Sequence, residues 1–367
     1  MLADAVAWTS RAVPARPPVP VLAGVRITAQ SSGEVALASF DYEVSARGTF
    51  SADVDQAGEV LVSGRLLKEI ANALPHKPVD FALEGTKVSV TCGASRFTLA
   101  TMPVDQYPAL PELPAQSGTI DGSEFQRAVG QVTVAASRDE TLPILTGVRM
   151  EIEGSSISLL ATDRYRLALR ELSWKPSSSD ASAVALVRAR TLNDTAKALG
   201  AGDVTVALSS GQGVDLVGFE AGGLTTTSLL MDGDYPQVRR LFPEESPVTA
   251  VVKTTELIEA TRRVSLVAER NSSVRLAFSE GELTLDAGQS DDAQASEAIE
   301  CVLNGDAITV AFNPQYLLDG LGALSSEYVQ LGFTQETKPV EFVGIDKPGG
   351  DVVADFRYLL VPIRIQS

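Results

Sequence analysis

Apolar and polar positions alternate in one short segment that occurs three times along the chain at a fixed spacing. The segments begin at Val79, Val204 and Val329, so that each starts 125 residues after the previous one. Each carries apolar residues at its first, third and fifth positions, which is the pattern of a strand with one buried face. The period is too long for a solenoid repeat, so the pattern predicts three homologous domains, each with its own core.

Helical periodicity accompanies these strands in every copy. Ser123 and Gln126 have the spacing of a capping box, and apolar residues follow at helical spacing from Phe125 to Ala136. A similar apolar stripe in the third copy runs over residues 257–268. Second helices are predicted just before the repeated strands, at residues 65–74, 191–199 and 314–324. The sequence therefore predicts an α+β fold, in which two helices of each domain lie on antiparallel sheets.

Proline-rich stretches at residues 107–114 and 242–247 mark the domain junctions. They divide the chain into domain one (1–114), domain two (115–246) and domain three (247–367). A short strand is predicted before the first helix of domains two and three, whereas domain one begins inside its helix at Leu2. We therefore expect domain one to lack about ten residues of an N-terminal strand, which leaves a sheet edge unpaired.

Composition excludes several kinds of active site. His76 is the only histidine, so a histidine-based triad and a multi-histidine metal site are both excluded. Cys92 and Cys301 occupy unmatched positions and predict neither a disulfide framework nor a metal site. Phosphate-binding, nucleophile-elbow and zinc-protease motifs are absent from the sequence. We expect no cofactor and no metal, with Gly211-Gln-Gly213 as a hairpin turn and Asp291-Asp292 in a solvated loop.

The net charge of −17 argues against a protein that coats nucleic acid, because non-specific affinity comes from Lys and Arg. Basic residues nevertheless recur on or beside the predicted helices of several domains. They fit either a solvated helix face or a basic surface that faces DNA. The chain has no apolar run of 18 residues and no signal-peptide pattern at its start, so we expect a cytoplasmic protein without a membrane anchor.

Four motifs resemble those of a known family. Residues 159–168 read Leu-Leu-Ala-Thr-Asp-Arg-Tyr-Arg-Leu-Ala, and residues 232–243 read Asp-Gly-Asp-Tyr-Pro-Gln-Val-Arg-Arg-Leu-Phe-Pro. The turn at residues 20–24 and the ending Tyr-Leu-Leu-Val-Pro-Ile-Arg-Ile at 358–365 complete the set. In this order, and with the threefold repetition, they resemble the bacterial sliding clamp, the beta subunit of the replicative DNA polymerase.

The resemblance implies three tandem DNA-clamp domains that form half of a ring, closed by a second copy of the chain. Such a homodimer encircles duplex DNA without regard to sequence and tethers the polymerase, which confers processivity without catalysis. The implied partners are the polymerase catalytic subunit, the clamp loader, and proteins with a clamp-binding motif such as repair polymerases, mismatch-repair proteins and ligase. The implied location is the cytoplasm, in association with the nucleoid.

The resemblance also implies three sets of site residues. The partner-peptide cleft comprises Leu145, Thr162, Arg164, Tyr165, Arg166, Leu167, Pro236, Arg240, Leu241, Asn313, Tyr316, Pro339, Leu360, Val361, Pro362 and Ile363. The residues that face DNA are Arg16, Arg65, Lys68, Arg138, Lys197, Arg262 and Arg270. The dimer interface comprises Phe97, Leu99 and Leu266. Many family members have Gly-His at Arg164-Tyr165, so this chain has a bulkier and more basic cleft rim.

Two other classes of protein remain as alternatives from the residues alone. An extracellular three-domain adhesion module fits the β-rich repetition but not the missing signal peptide. A carboxylate-dependent hydrolase has only unclustered Asp and Glu residues in its favour.

Overall fold

Helices and strands alternate along the chain as the repeat predicts. The structure is a computed structural model that describes residues 1–209, 215–268, 272–290 and 293–364. The Gly211-Gln-Gly213 segment and Asp291-Asp292 lie outside this part of the chain. The α-helices of the described residues are α1 (Leu2–Thr9), α2 (Gly64–Ala73), α3 (Gly122–Thr133), α4 (Ala189–Leu199), α5 (Thr254–Val264) and α6 (Pro314–Ala323).

The strands fall into three sets that follow the three copies. The first set is β1 (Gly24–Ala29), β2 (Glu34–Phe40), β3 (Val44–Ser51), β4 (Gly58–Ser63), β5 (Asp80–Glu84), β6 (Lys87–Cys92) and β7 (Ser95–Met102). The second is β8 (Gln116–Asp121), β9 (Gly147–Glu153), β10 (Ser156–Thr162), β11 (Arg166–Ser173), β12 (Lys175–Pro176), β13 (Ser182–Arg188), β14 (Asp203–Ser209), β15 (Leu216–Ala221) and β16 (Leu224–Leu229). The third is β17 (Val248–Lys253), β18 (Val274–Ser279), β19 (Gly281–Ser290), β20 (Ala293–Asn304), β21 (Ile308–Phe312), β22 (Tyr328–Phe333), β23 (Val340–Ile345) and β24 (Val352–Leu360).

One compact unit comprises Met1–Ser123, Trp174–Ala181 and Asp194–Leu230. Its strands form a sheet in the order β12-β8-β14-β15-β16-β3-β2-β1-β4-β7-β6-β5. Domains one and two join inside this sheet, where β16 runs antiparallel to β3. The junction is reinforced by side chains, since the Ser45 and Thr227 hydroxyl oxygens are 2.6 Å apart. Strand pairing thus continues across the first domain boundary.

The other compact unit comprises Glu124–Ser173, Ser182–Asn193 and Met231–Ser367. Its sheet has the order β13-β9-β10-β11-β24-β23-β22-β17-β20-β19-β18-β21. Domains two and three join where β11 runs antiparallel to β24, from the pair Arg166 and Leu360 to the pair Arg170 and Phe356. In both units, the third strand after the first helix of one domain pairs with the last strand of the next domain.

The first helix of domain two buries the stripe that its sequence predicts. Phe125, Val129 and Val132 of α3 are buried, in agreement with the helical spacing. The helix begins one residue earlier than predicted, at Gly122, whose N–H donates to the carbonyl of Gly202 at 2.9 Å. It also ends earlier, at Thr133, because the chain tightens into three-residue turns there.

The corresponding stripe of domain three is also shorter as a helix than predicted. Leu257, Ala260 and Val264 of α5 are buried. Val267 belongs to a 3₁₀ turn over Ser265–Val267, and Ala268 follows that turn, so neither extends the α-helix. The Ser265 hydroxyl donates to the carbonyl of Thr261 and so competes with regular helical bonding at this point.

The repeated strands are buried in two copies and exposed in the third. The apolar positions of β14 and β22, such as Val204 and Val329, are buried as the alternation predicts. In β5, by contrast, Phe81 and Leu83 are exposed. Among the described residues, β5 is the last strand of its sheet and pairs with β6 alone. None of the described helices combines the length and apolar composition needed to cross a membrane.

A close approach in α6 gives a stability prediction. A methyl group on Gly320 would come within 2.3 Å of the buried Tyr358 ring, whereas one on Gly322 of the same helix meets nothing within 4 Å. Gly320→Ala should destabilise the protein by about 1–3 kcal/mol through overpacking. Gly322→Ala should stabilise it by about 0.5–1 kcal/mol, because alanine is the better helix former. Urea denaturation of both variants checks this, and equal midpoints would contradict it.

Candidate partner-peptide cleft and basic surfaces

A tight turn between β10 and β11 presents the residues of the first motif. The Asp163 carboxylate accepts hydrogen bonds from the N–H groups of Tyr165 and Arg166, each at 3.0 Å. The Thr162 hydroxyl accepts from the N–H of Arg164 at 3.1 Å and donates to the carbonyl of Arg166 at 2.7 Å. Arg164 has φ 80°, a left-handed conformation that side-chain hydrogen bonds must hold in place. The turn therefore fixes Tyr165 in an exposed position.

Arg166 is buried in this turn and its charge is fully engaged. Its Nε donates to Asp163 Oδ2 at 2.9 Å, and its Nη1 donates to Asp319 Oδ2 at 2.7 Å. The guanidinium carbon lies 4.2 Å from the centroid of the Tyr316 ring. Tyr316 also stacks on Tyr165, with centroids 6.2 Å apart. Because two carboxylates and an aromatic face surround the buried cation, its role is to hold these elements together.

The turn forms one wall of the candidate cleft, and the amino end of α6 forms the other wall. The Asn313 side chain caps this helix, since its Oδ1 accepts from the N–H groups of Gln315 and Tyr316. Pro314 follows at the first helical position, where a missing N–H costs nothing. The Tyr358 hydroxyl donates to the carbonyl of Tyr316 at 2.9 Å. Burial raises the pKa of Tyr358, so this hydroxyl stays a neutral donor.

A buried apolar cluster adjoins the turn between β10 and β11. It includes Leu145, Leu167 and Leu359, with Tyr235 and Phe242 from the second motif. The Tyr235 hydroxyl accepts a hydrogen bond from the N–H of Thr162 at 2.9 Å, which ties the second motif to the turn. Burial raises the pKa of Tyr235 as well. The cluster supplies a rigid apolar base for the cleft.

The carboxyl-terminal segment adjoins the same turn. The N–H of Val361 donates to the carbonyl of Tyr165 at 2.9 Å, and the N–H of Ile363 donates to the carbonyl of Ala311 at 2.7 Å. Val361 and Ile363 are exposed. Leu360 is buried and pairs with Val340, so Pro339 comes next to Val361 in the strand register.

Contacts thus connect most of the predicted cleft residues, but the sequence did not reveal what positions them. Pro236, Arg240 and Leu241 are exposed residues that follow Tyr235. The sequence prediction missed Asp163, Tyr235, Asp319 and Tyr358 as positioning residues. Asp163 and Tyr235 lie inside the two motifs, where polar side chains in a turn give a signal. Asp319 lies 153 residues from Arg166, and no local pattern joins them.

The basic residues predicted to face DNA are exposed wherever the structure describes them. Arg16, Arg65, Lys68 and Lys197 belong to one unit, and Arg138 and Arg262 belong to the other. Arg270 lies outside the described residues. Exposure does not mean that a cation is unpaired. Arg65 Nη1 lies 3.6 Å from Glu69 Oε1, and Arg263, next to Arg262, donates from Nη2 to Glu297 at 2.6 Å, a hydrogen bond that lowers the pKa of Glu297.

The three predicted interface residues differ in accessibility. Leu266 lies in the 3₁₀ turn after α5 and is 85% exposed. Leu99 of β7 is only 4% exposed, because it packs into the core of domain one together with Val88 and Val90. Phe97 is partly buried against the same core. Leu99 therefore offers little side-chain surface to a partner, and the interface prediction depends on Leu266 and on the backbone edge of β7.

Three helix-on-sheet domains whose sheets join at the domain boundaries define a DNA-clamp architecture. Three domain models of one family match in chain order. They are the N-terminal, central and C-terminal domains of the DNA polymerase III beta subunit, over residues 1–111, 119–237 and 239–354. The chain therefore belongs to the family of bacterial sliding clamps, the DNA polymerase III beta subunits, and its function is that of a sliding clamp.

Individual relatives agree over the whole chain. The beta sliding clamp of Streptomyces coelicolor is 54% identical over 100% of this chain and 98% of its own length. That of Micrococcus luteus is 59% identical over 83% of this chain and 97% of its own length. The crystal structure of the Bacillus subtilis clamp has a TM-score of 0.91 at 26% identity, with 100% of this chain and 97% of the other covered. A Pseudomonas aeruginosa clamp bound to griselimycin has a TM-score of 0.91 at 28% identity, with 99% and 97% covered.

The buried Arg166 generates a prediction about the turn. Arg166→Leu leaves Asp163 and Asp319 without their shared cation, so it should destabilise the protein by about 3–5 kcal/mol. Arg240→Leu, at an exposed position of the same cleft, should change stability by no more than about 0.5 kcal/mol. Urea denaturation followed by circular dichroism compares the two. A midpoint for Arg166→Leu equal to that of the Arg240 variant would show that the network does not stabilise the fold.

Proposed function

We propose that two copies of this chain close a ring around duplex DNA. The observation that carries this proposal is a repeated pairing. The third strand after the first helix of one domain pairs with the last strand of the next domain, at β3 with β16 and at β11 with β24. Continued by one step, the rule pairs β20 of domain three with β7 of domain one. The two strands belong to different sheets and do not pair with each other within the described residues, so we infer that the partner of each comes from another copy. A two-fold axis then satisfies both edges at once.

The open edges of the two strands support this pairing. Among the described residues, β7 pairs with β6 along its length but with β4 only at Thr101 and Met102. Strand β20 pairs with β19 along its length but with β17 only from Val302 to Asn304. Each therefore presents an open backbone stretch next to a partly paired end. The turn that carries Leu266 contacts β20, which puts an exposed apolar residue beside this edge.

Attachment to DNA is proposed to be topological. With a net charge of −17, only a limited set of exposed Arg and Lys residues contacts the phosphates. Such contacts are weak and screened at physiological salt, which permits sliding. The ring raises the local concentration of a tethered polymerase at the primer end, so processivity needs no bond-making chemistry. The protein then acts as a non-catalytic factor in the cytoplasm, next to the nucleoid.

The cleft is proposed to bind short peptide motifs of the partner proteins. Exposed Leu241 precedes Phe242 of the buried apolar cluster, and exposed Val361 lies two residues after Leu359 of the same cluster, with Arg240 next to Leu241 in sequence. Apolar surface with a few polar anchors suits an extended peptide that ends in two apolar residues, of the Gln-Leu-x-Leu-Phe kind. The proposed carriers of such motifs are the polymerase catalytic subunit, the clamp loader, repair polymerases, mismatch-repair proteins and ligase.

The proposed ring predicts a dimer that Leu266 supports. Leu266→Asp should shift the protein from dimer towards monomer, because a charge would enter an apolar contact. Light scattering after gel filtration measures the mass at concentrations near 10 μM, a range in which weak dimers dissociate. The Leu241→Asp variant should remain dimeric and serves as the control. A wild-type chain that is monomeric at this concentration would refute the closed ring.

The proposed cleft predicts selective loss of peptide binding. Leu241→Asp should weaken binding of a fluorescent Gln-Leu-x-Leu-Phe peptide by about tenfold or more, because an apolar contact is replaced by a charge. Val184→Asp is the matched control, since Val184 is 56% exposed and Leu241 is 53% exposed. Val184 lies on β13, the end strand of its sheet, which carries none of the residues predicted for the cleft. Equal affinities of the two variants in fluorescence polarisation would count against this cleft.

Topological attachment predicts a difference between circular and linear DNA. Protein loaded on a nicked circle by an ATP-driven loader should remain bound at about 0.15 M salt, where phosphate contacts alone are weak. Linearising the circle should release it, since a ring slides off free ends. Arg138→Glu combined with Lys197→Glu should reduce loading more than it reduces peptide binding. Equal retention on linear and circular DNA would mean that direct affinity holds the protein there.

A further inference from the structure

The segment of residues 235–243, which carries the exposed Leu241, is held in place by side chains. Among the described residues, its backbone–backbone hydrogen bonds all lie within the segment. The N–H of Leu241 donates to the carbonyl of Val238 at 2.9 Å, and the N–H of Phe242 donates to the carbonyl of Arg239 at 3.3 Å. Strand pairing therefore does not fix this segment, and the position of its exposed turn depends on side-chain contacts.

One face of β10 provides contacts for this segment. Alternate residues of a strand share a face, which places Ser158, Leu160 and Thr162 in one row. At one end of the row, the N–H of Thr162 donates to the Tyr235 hydroxyl at 2.9 Å. Leu160, in the middle, belongs to the buried apolar cluster. Ser158 is the other polar end of the row, so a contact there holds the segment at a second polar point.

Arg239 makes that contact. In the strand register, Ser158 lies opposite Glu151 of β9 and opposite Glu171 of β11. The Nη2 of Arg239 donates to Ser158 Oγ at 2.7 Å and to Glu171 Oε1 at 2.9 Å. The Nε of Arg239 lies 3.9 Å from Glu151 Oε2. One guanidinium thus spans three adjacent strands, and the planar fork of arginine suits this better than the compact ammonium of lysine.

The two carboxylates differ in their dependence on Arg239. Glu151 has a second partner, because the Nε of Arg149 donates to its Oε1 at 2.6 Å. For Glu171, Arg239 is the only cation within 4.0 Å among the residues that the structure describes. Removing either Arg239 or Glu171 therefore breaks the same contact.

We propose that Arg239 is a positioning residue for the partner-peptide cleft. It fixes the turn Arg239–Leu241 to the sheet of domain two, between the buried residues Val238 and Phe242. Arg240 and Leu241 are then presented to a bound peptide without any contact between that peptide and Arg239. This inference rests on the proposed cleft and deepens it, since it assigns the residue that orients one of its sides.

A direct contact between Arg239 and the peptide is the competing explanation, because the Arg239 side chain is 51% exposed. The two explanations differ in the part played by Glu171. If Arg239 bound the peptide, loss of Glu171 would free the guanidinium and would leave the affinity unchanged or increase it. If Arg239 positions the turn, loss of Glu171 loosens the same contact and weakens binding as loss of Arg239 does.

The test is a double-mutant cycle that measures binding of a fluorescent Gln-Leu-Ser-Leu-Phe peptide by fluorescence polarisation. Arg239→Gln and Glu171→Gln should each weaken binding by about threefold to tenfold. The double variant should bind no worse than the weaker single variant, because both substitutions remove one contact. All three variants should melt within about 4 °C of the wild type, since exposed ion pairs contribute little to global stability.

Hydrogen exchange reports on the turn itself in the absence of peptide. The N–H groups of Leu241 and Phe242 donate within the turn, so their exchange should become about tenfold faster in Arg239→Gln and in Glu171→Gln. A residue that only contacted the peptide would leave this exchange unchanged in the free protein.

Arg47 and Glu34 provide the matched control. Their side chains are 50% and 48% exposed, against 51% and 47% for Arg239 and Glu171. Both lie in domain one, which carries none of the residues predicted for the cleft. Arg47→Gln and Glu34→Gln should therefore leave the peptide affinity unchanged.

Three results would overturn the proposal. Wild-type affinity of Glu171→Gln beside weakened binding of Arg239→Gln would assign Arg239 to a contact with the peptide. Wild-type affinity of both single variants, with binding weakened in Leu241→Asp, would leave the cleft in place and remove the role of Arg239. Wild-type affinity of Leu241→Asp in the same assay would refute the cleft itself, and this inference with it.

Discussion

Antiparallel strand pairing across the domain boundaries is the constraint on which the rest of this structure depends. The β3–β16 and β11–β24 pairs merge the sheets of successive domains, so that neighbouring domains share backbone hydrogen bonds as well as side-chain contacts. Backbone pairing fixes register, because a shift by one residue would turn every side chain to the opposite face. Among the described residues, β20 of domain three and β7 of domain one have no partner across a domain boundary. The proposed ring is the arrangement in which the same pairing rule is met by a second copy of the chain.

The sequence predicted the repeat, the domain class and most elements, because these depend on local periodicity. The alternation at Val204 and Val329 and the stripe of α3 are confirmed by burial. Helix ends were less predictable. Ala136 and Val267 continue the apolar spacing but lie in tighter turns. Apolar residues also occur in such turns, so apolar spacing alone does not show where an α-helix ends. The cleft and the DNA-facing set stay predictions in their roles, although the structure places their members other than Arg270.

Long-range polar contacts could not be predicted at all. The Arg166 network joins residues of different domains, and the relevant signal is the burial of a charge, which a sequence does not display. Charge pairing also changes the meaning of the basic residues. Arg263 engages Glu297, whereas no ion pair within 4.0 Å involves Arg262 among the described residues. Composition counts the two arginines equally. For Arg263 to bind a phosphate, however, its ion pair with Glu297 would first have to break.

The candidate cleft lies at the end of a junction strand, so its geometry depends on the pairing of that strand. Leu360 ends β24 opposite Arg166, which begins β11, and Val361 continues from there along the turn. The strained turn at Arg164 and the exposed Tyr165 are held by Asp163, whose other oxygen holds Arg166. Arg166 in turn binds Asp319 of α6 in domain three. The walls of the cleft therefore come from two domains and are aligned by the same backbone pairing that joins those domains. A peptide bound at the proposed cleft would contact residues of both domain two and domain three. We therefore expect its affinity to depend on the strand pairing between these domains as well as on the side chains that it contacts.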